Sequence, residues 1–148
     1  LEREIPHRCK VAFVVDYLSD EALLALSQAS TYYVQTTRAE GNCLPLMNYL
    51  SAGRPGVSPD HSAMGDYYDD QVGYVVESNQ EPTAWPHDSK LRIRTTWGRL
   101  VWTSYRDQLR RSYEQAVNDY PAYLAMSERC RDRMQKWASF EAVGARLD

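Results

Sequence analysis

Apolar positions along this chain follow two rhythms. In the first half, runs of strand length alternate with stretches of helical period; in the last third only the helical period persists. Lys10 to Tyr17, KVAFVVDY, is an almost continuous apolar run, which predicts a strand buried on both faces of a parallel sheet. Ser19 suits a helix N-cap and Asp20 and Glu21 a first turn, while Leu23, Leu26 and Ala29, with Ala22 and Leu24 beside them, predict a buried helical face. Tyr32 to Thr37 predicts a second strand, about Cys43 to Ala52 a second helix stopped by Gly53, and Pro55 to Pro59 a third strand. Ser62 to Tyr68 fits a short helix and Val72 to Glu77 a fourth strand. This alternation predicts an α/β fold, a Rossmann-like parallel sheet with flanking helices.

The alternation stops at Ser78. From there to Thr103 the chain carries Pro82, Pro86, His87 and the tryptophans Trp85, Trp97 and Trp102. Indoles so closely spaced argue against disorder. The segment reads as an Ω-like loop pinned by its aromatics, or as a lid or specificity element, and the two readings are compatible. C-terminal helices follow. Ser104 with Asp107 forms a capping box, and Tyr105, Leu109, Tyr113, Ala116 and Val117 make one apolar stripe. Asp119 or Tyr120 caps the next helix, with Pro121 at its first position and Met126, Cys130, Met134 and Trp137 along one face. Arg129, Arg131, Arg133 and Lys136 interleave with Glu128 and Asp132 and read as a solvated face. Ser139 starts a last short helix. The expected organisation is one domain over residues 1–148, with the Trp-rich stretch as an insertion at about 78–103.

Composition narrows this picture. A chain of 148 residues can bury one sizeable core. A net charge of −3 excludes the broad basic footprint that nucleic acid requires. No apolar run approaches the ~20 residues of a membrane span. The first residues, LEREIPHRCK, lack the apolar core of a secretory leader, and a start at Leu1 close before the first predicted strand is the start expected of a piece cut from a longer protein. Cys9, Cys43 and Cys130 are few, odd in number and far apart, which fits reduced thiols better than a disulfide framework or a zinc site.

Chemistry concentrates between Thr36 and Pro59. The loop Arg38-Ala39-Glu40-Gly41-Asn42 follows the second strand, at the carboxyl edge where open α/β sheets bind ligands. Gly41 can take backbone angles closed to other residues and admits a ligand closely. The N–H groups of Asn42, Cys43 and Leu44 open a helix and favour an anion. Glu40 accepts hydrogen bonds from hydroxyls. Asn48 lies eight residues after Glu40, about a turn and a half into that helix, so the helix could bring both to one ligand. The corner reads as a phosphate-and-polyol site, with the alternative that Glu40 merely caps the helix. Cys43 is either a small residue allowing close approach or a thiolate favoured by the helix end. Arg38 and Arg54 are anion-binding candidates by charge only, and His61 follows the third strand at the same edge. His7, His61 and His87 show no metal-ligand spacing, and Asp66 with Asp69 and Asp70 reads as an acidic patch.

The same stretch resembles the signature of the retaining nucleotide-sugar glycosyltransferases of the GT-B fold, especially glycosyltransferase family 4, whose pattern S-x-x-E-G-x-G-L-P-x-x-E-A-x-A-x-G-x-P-V contains the E-x7-E motif. Thr37, Glu40, Gly41, Leu44, Pro45, Gly53 and Pro55 stand in register with it, and the likeness extends over about residues 10–145. Three positions depart. Cys43 stands for the second glycine, which is compatible with the motif at a negative φ. Tyr49 replaces an alanine. Asn48 replaces the second glutamate, losing charge assistance of ~1 kcal/mol in a hydrogen bond.

The resemblance implies the C-terminal, donor-binding domain of an enzyme that moves a sugar, with retention, from a nucleotide diphosphate sugar to a glycan or lipid-linked acceptor. It implies Glu40 on the donor sugar's hydroxyls, backbone N–H groups of Gly41, Asn42, Cys43 and Leu44 on the diphosphate, and Asn48 at the ribose. It also implies no metal or other cofactor, and an N-terminal acceptor domain in the same parent chain. The expected setting is the cytoplasm, or the cytoplasmic face of a membrane reached through the parent protein. A catalytically inactive nucleotide-binding or interaction module is the alternative, raised by Asn48. A different Rossmann-like sugar enzyme, such as an epimerase, keeps the strand–helix order but lacks the E-G-x-x-L-P run.

Overall fold

A computed structural model describes residues 9–84, 87–90, 92 and 94–147. Ser19 caps the first helix, α1 (Asp20–Ala29), by accepting from the Ala22 N–H at 3.3 Å. The chain then alternates through β1 (Tyr33–Val34), α2 (Leu44–Ser51), β2 (Gly56–Ser58), a 3-10 turn (Ser62–Asp66) and β3 (Gly73–Val75). The three strands pair in parallel in the order β1-β2-β3, Tyr33 opposite Gly56 and Gly56 opposite Gly73. The result is a mixed α/β fold, a three-stranded parallel sheet with flanking helices, compatible with a Rossmann-like arrangement.

Gly53 ends α2 as expected: its φ of +72 is the left-handed turn that glycine takes without cost, and its N–H closes on the Leu50 carbonyl at 2.9 Å. Every residue of β2 is buried. Leu46 and Leu50 of α2, Val57 of β2, Met64, Tyr68, Val72 and Val76 form the centre of the core. Tyr68 is the pin of the sheet: its one hydroxyl proton is shared between the Gly56 and Tyr74 carbonyls, 2.9 and 3.1 Å away, and its ring occupies the space that Gly56 and Gly73 leave by lacking a Cβ.

The strand expected at Lys10 to Tyr17 is absent. Residues 9–19 form no strand, and Phe13, Val15 and Tyr17 are 51%, 86% and 95% exposed. A parallel strand exists only where neighbours take its N–H and C=O groups, and β1 bonds to β2 alone. The expected buried face of α1 is not buried either: Leu23, Leu24 and Leu26 are exposed, and Ser27 is the buried residue of that helix.

The stretch from Ser78 to Thr103 corrects the loop reading. It holds an antiparallel hairpin, β4 (Ser78–Ala84) against β5 (Arg94–Leu100), with Ser78 opposite Leu100 and Ala84 opposite Arg94. Trp85 and Pro86 lie outside the described residues. Short β-branched positions (Thr83, Thr95, Thr96) favour the pairing, and the prolines masked it in the sequence; Pro82 stands opposite Thr96 in a two-stranded ribbon, where each strand is laddered on one side only.

α3 (Trp102–Asn118) begins before the expected capping box. Val101 is its N-cap, and the Ser104 hydroxyl accepts instead from the Glu77 N–H at 3.0 Å, tying the helix to the end of β3. Tyr105 and Leu109 pack on the core, but Tyr113 and Val117 of the predicted stripe are exposed. α4 (Tyr120–Ala138) is capped by Asp119 and buries Met126, Cys130 and Met134 as expected, with Trp137 packed beside them. Its basic face is only partly solvated: Arg133 bonds the Tyr67 carbonyl at 3.0 Å and Asp69 at 2.9 Å, and Arg129 bonds the Gln71 carbonyl at 2.9 Å. α5 (Phe140–Leu147) follows, started by Ser139, whose hydroxyl accepts from the Ala142 N–H. No helix is long and apolar enough to cross a membrane among the described residues.

Candidate functional site

The carboxyl edge of the sheet carries the Glu40 loop, and β1 sets it up. Tyr33 and Gln35 are two residues apart in extended chain, so their side chains leave the same face. The Tyr33 hydroxyl donates to Gln35 Oε1 at 3.2 Å, which fixes the amide so that Nε2 points away. That nitrogen donates to Glu40 Oε1 at 3.0 Å and to Cys43 Sγ at 3.1 Å. Glu40 is half-buried and takes its hydrogen bond from Gln35, while the N-cap position of α2 belongs to Cys43, which offers no side-chain cap. Burial pushes the Tyr33 phenol up to about 12, with nearby Cys43 and Glu40 adding to it, so Tyr33 stays a donor at neutral pH. Tyr33 also packs on Tyr49, centroids 4.8 Å apart, which gives the bulky residue at that helix position a place.

Cys43 departs from expectation. Its φ is +51 and its ψ +59, the left-handed region, where a negative φ was required for a residue other than glycine to stand there without strain. The cost is ~1–2 kcal/mol. The side chain is 3% exposed and belongs to the core, and burial raises the thiol's pKa. Cys43 is therefore a neutral packing residue and not a thiolate. Gly41 has no positive φ, and no atom lies within 4 Å of where a Cβ would sit: the space beside it is open, but the backbone freedom of glycine is not used there. The Asn42 carbonyl accepts from Tyr67 at 2.7 Å, and burial holds that phenol protonated by raising its pKa. At the helix start Pro45 has no N–H, Met47 N–H already reaches the Cys43 carbonyl and Leu46 is fully buried with its N–H toward the Cys43 sulfur, so the donors left for an anion are those of Gly41, Asn42, Cys43 and Leu44.

Asn48 sits elsewhere on α2. It is exposed and lines a cavity of about 440 Å³ between α1 and α2, together with Asp20, Leu23, Leu24, Ser27 and Gln28. Glu40 is not part of that lining, so the sheet-edge loop and the interhelical cavity are two places joined by one helix.

Of the two arginines, Arg54 is engaged inward: it bonds the Tyr123 hydroxyl at 3.2 Å and the Gln28 carbonyl, and its Nε is buried without a partner. Arg38 is exposed, its guanidinium 5.1 Å from the Trp97 ring centroid. His61 does reach the sheet edge, where Nε2 lies 3.1 Å from the Thr37 carbonyl. Asp69 is paired with Arg133, and among the described residues no group of three or more His, Cys, Asp or Glu converges.

Sequence reasoning missed Tyr33 and Gln35 as the residues that orient Glu40; the signal available was their alternation on one face of β1. It also missed that the hairpin touches this loop, since no local pattern encodes that contact. Compared with protein-family models, with curated proteins and with solved structures, the chain matches none of them.

Proposed function

We propose that this chain is the donor-binding half of a retaining glycosyltransferase with the GT-B arrangement, acting on a nucleotide diphosphate sugar. The observation that carries the reading is Glu40. Its carboxylate is held by Gln35 at the carboxyl end of a parallel sheet, one residue before an uncrowded Gly41 and three before the left-handed start of α2. Such a carboxylate suits the hydroxyls of the donor sugar. The N–H groups of Gly41, Asn42, Cys43 and Leu44 suit the diphosphate, whose developing charge they stabilise as the sugar leaves. The cavity that Asn48 lines has the volume of a small-ligand site and a polar rim, which suits the nucleoside. The reaction is a same-face displacement in which the leaving phosphate accepts the acceptor's proton, so the chain needs no additional base.

The test is Glu40→Ala in the full-length parent. Glycosyl transfer is expected to fall by about a hundredfold or more, as for loss of a buried charged contact to the reacting group. Undiminished transfer refutes the assignment.

Asn48 favours one other reading, a nucleotide-binding or interaction module without turnover. Calorimetric titration of UDP and GDP into wild type and Asn48→Glu separates the two. Tighter binding by the glutamate variant supports a weakened donor site, and no binding by either supports an interaction module.

A further inference from the structure

The hairpin meets the Glu40 loop at Trp97 and Gly98. Gly98 of β5 donates its N–H to the Arg38 carbonyl at 2.7 Å. The preceding Trp97 lies under the Arg38 guanidinium. Packed against Gly98, His61 places Nε2 3.1 Å from the Thr37 carbonyl, and Nδ1 lies 3.2 Å from Ser62 Oγ. A carbonyl only accepts, so Nε2 carries the proton and Nδ1 accepts from the serine hydroxyl. The imidazole sits in the space that Gly98 leaves open: a methyl group there would overlap the ring. Ser62, next to His61, holds a φ of +58, a conformation non-glycine residues adopt at a cost. The Thr37 and Arg38 carbonyls are thus held by His61 and Gly98, three and two residues before Glu40.

We propose that His61 and Gly98 are positioning residues, which lock the Glu40 loop between the hairpin and the turn after β2. The grip makes the hairpin the element that sets where Glu40 stands; its consequence for sugar transfer rests on the donor-site reading above. The lock also seals Cys43, because the amide of Gln35 that holds Glu40 holds the Cys43 thiol as well.

Thiol accessibility tests this independently of any activity. Ellman's reagent on the 148-residue chain meets exposed Cys9 at once, while Cys43 and Cys130 are buried. With His61→Ala the Cys43 rate is expected to rise about tenfold, the effect of losing one partly buried hydrogen bond, while Cys130 keeps its wild-type rate. His61→Gln, whose amide N–H can reach the same carbonyl, should restore slow Cys43 labelling, and Gly98→Ala should behave as His61→Ala. An unchanged Cys43 rate in His61→Ala overturns the proposal. Equal acceleration of Cys43 and Cys130 also overturns it, since that reports loss of the fold and not release of the loop. UDP and GDP titrated into the same variants keep the two ideas apart. If neither binds wild type, the donor reading fails, and the thiol rates still decide the lock.

Discussion

The two edges of the sheet are built from similar residues and end in opposite states. At the β3 edge, Tyr74 is buried and donates to Gln115 of α3 at 2.7 Å, and the Cys130 thiol of α4 donates to the Val72 carbonyl at 3.2 Å. At the β1 edge, Val34 is 42% exposed, Leu24 of α1 is 53% exposed, and the apolar run 11–17 lies outside the sheet. Apolar content does not distinguish them; KVAFVVDY is the more hydrophobic of the two. Cover does: β1 and β3 each pair with β2 alone, but α3 and α4 close over the β3 side, and residues 10–17 have the composition of a strand without the ladder.

The largest effect that could break this comparison is in the core. Leu50 is fully buried, and Leu50→Ala should cost about 2–5 kcal/mol in urea unfolding, while Leu24→Ala on the open side should cost less than ~1 kcal/mol. Equal losses would mean that the β1 side is as well packed as the β3 side.

A second effect depends on pH. Burial pushes the Cys130 thiol up to about 12, against three nearby arginines that lower it. The folded form therefore keeps its proton where the unfolded thiol has lost it. Stability from this group is complete below about pH 8.5 and declines as pH rises toward 12, by ~1.4 kcal/mol per pH unit. Unfolding of wild type and Cys130→Ala between pH 8 and 11 measures the difference in slope. A slope unchanged by the substitution would place Cys130 outside the closed edge.

These contrasts also mark what the sequence could convey. α1, α2, α4 and the parallel order of β1, β2 and β3 were legible, because caps such as Ser19 and Asp119 and the glycine stop at Gly53 act within a few residues. The hairpin was not, because its ladder joins residues up to 22 positions apart, Ser78 to Leu100, and the prolines argued locally for a loop. In the candidate site, a motif resemblance grouped Glu40 with Asn48, and their separation into a sheet edge and an interhelical cavity was not legible, because it depends on where α1 lies. The left-handed start of α2 was hidden by Cys43, a residue that ordinarily signals the opposite backbone.

The smallest expected effect is the most direct probe of the open edge. Val15 is 86% exposed, so Val15→Ser removes almost no buried surface, and stability should change by less than ~0.5 kcal/mol. The same substitution should lower binding of the dye ANS, since Phe13, Val14 and Val15 together form a run of exposed apolar surface. A loss of 1 kcal/mol or more, ~1.5 being the low end for a fully buried valine, would show that the run is held against something in solution. The two edges would then differ in what covers them and not in whether they are covered.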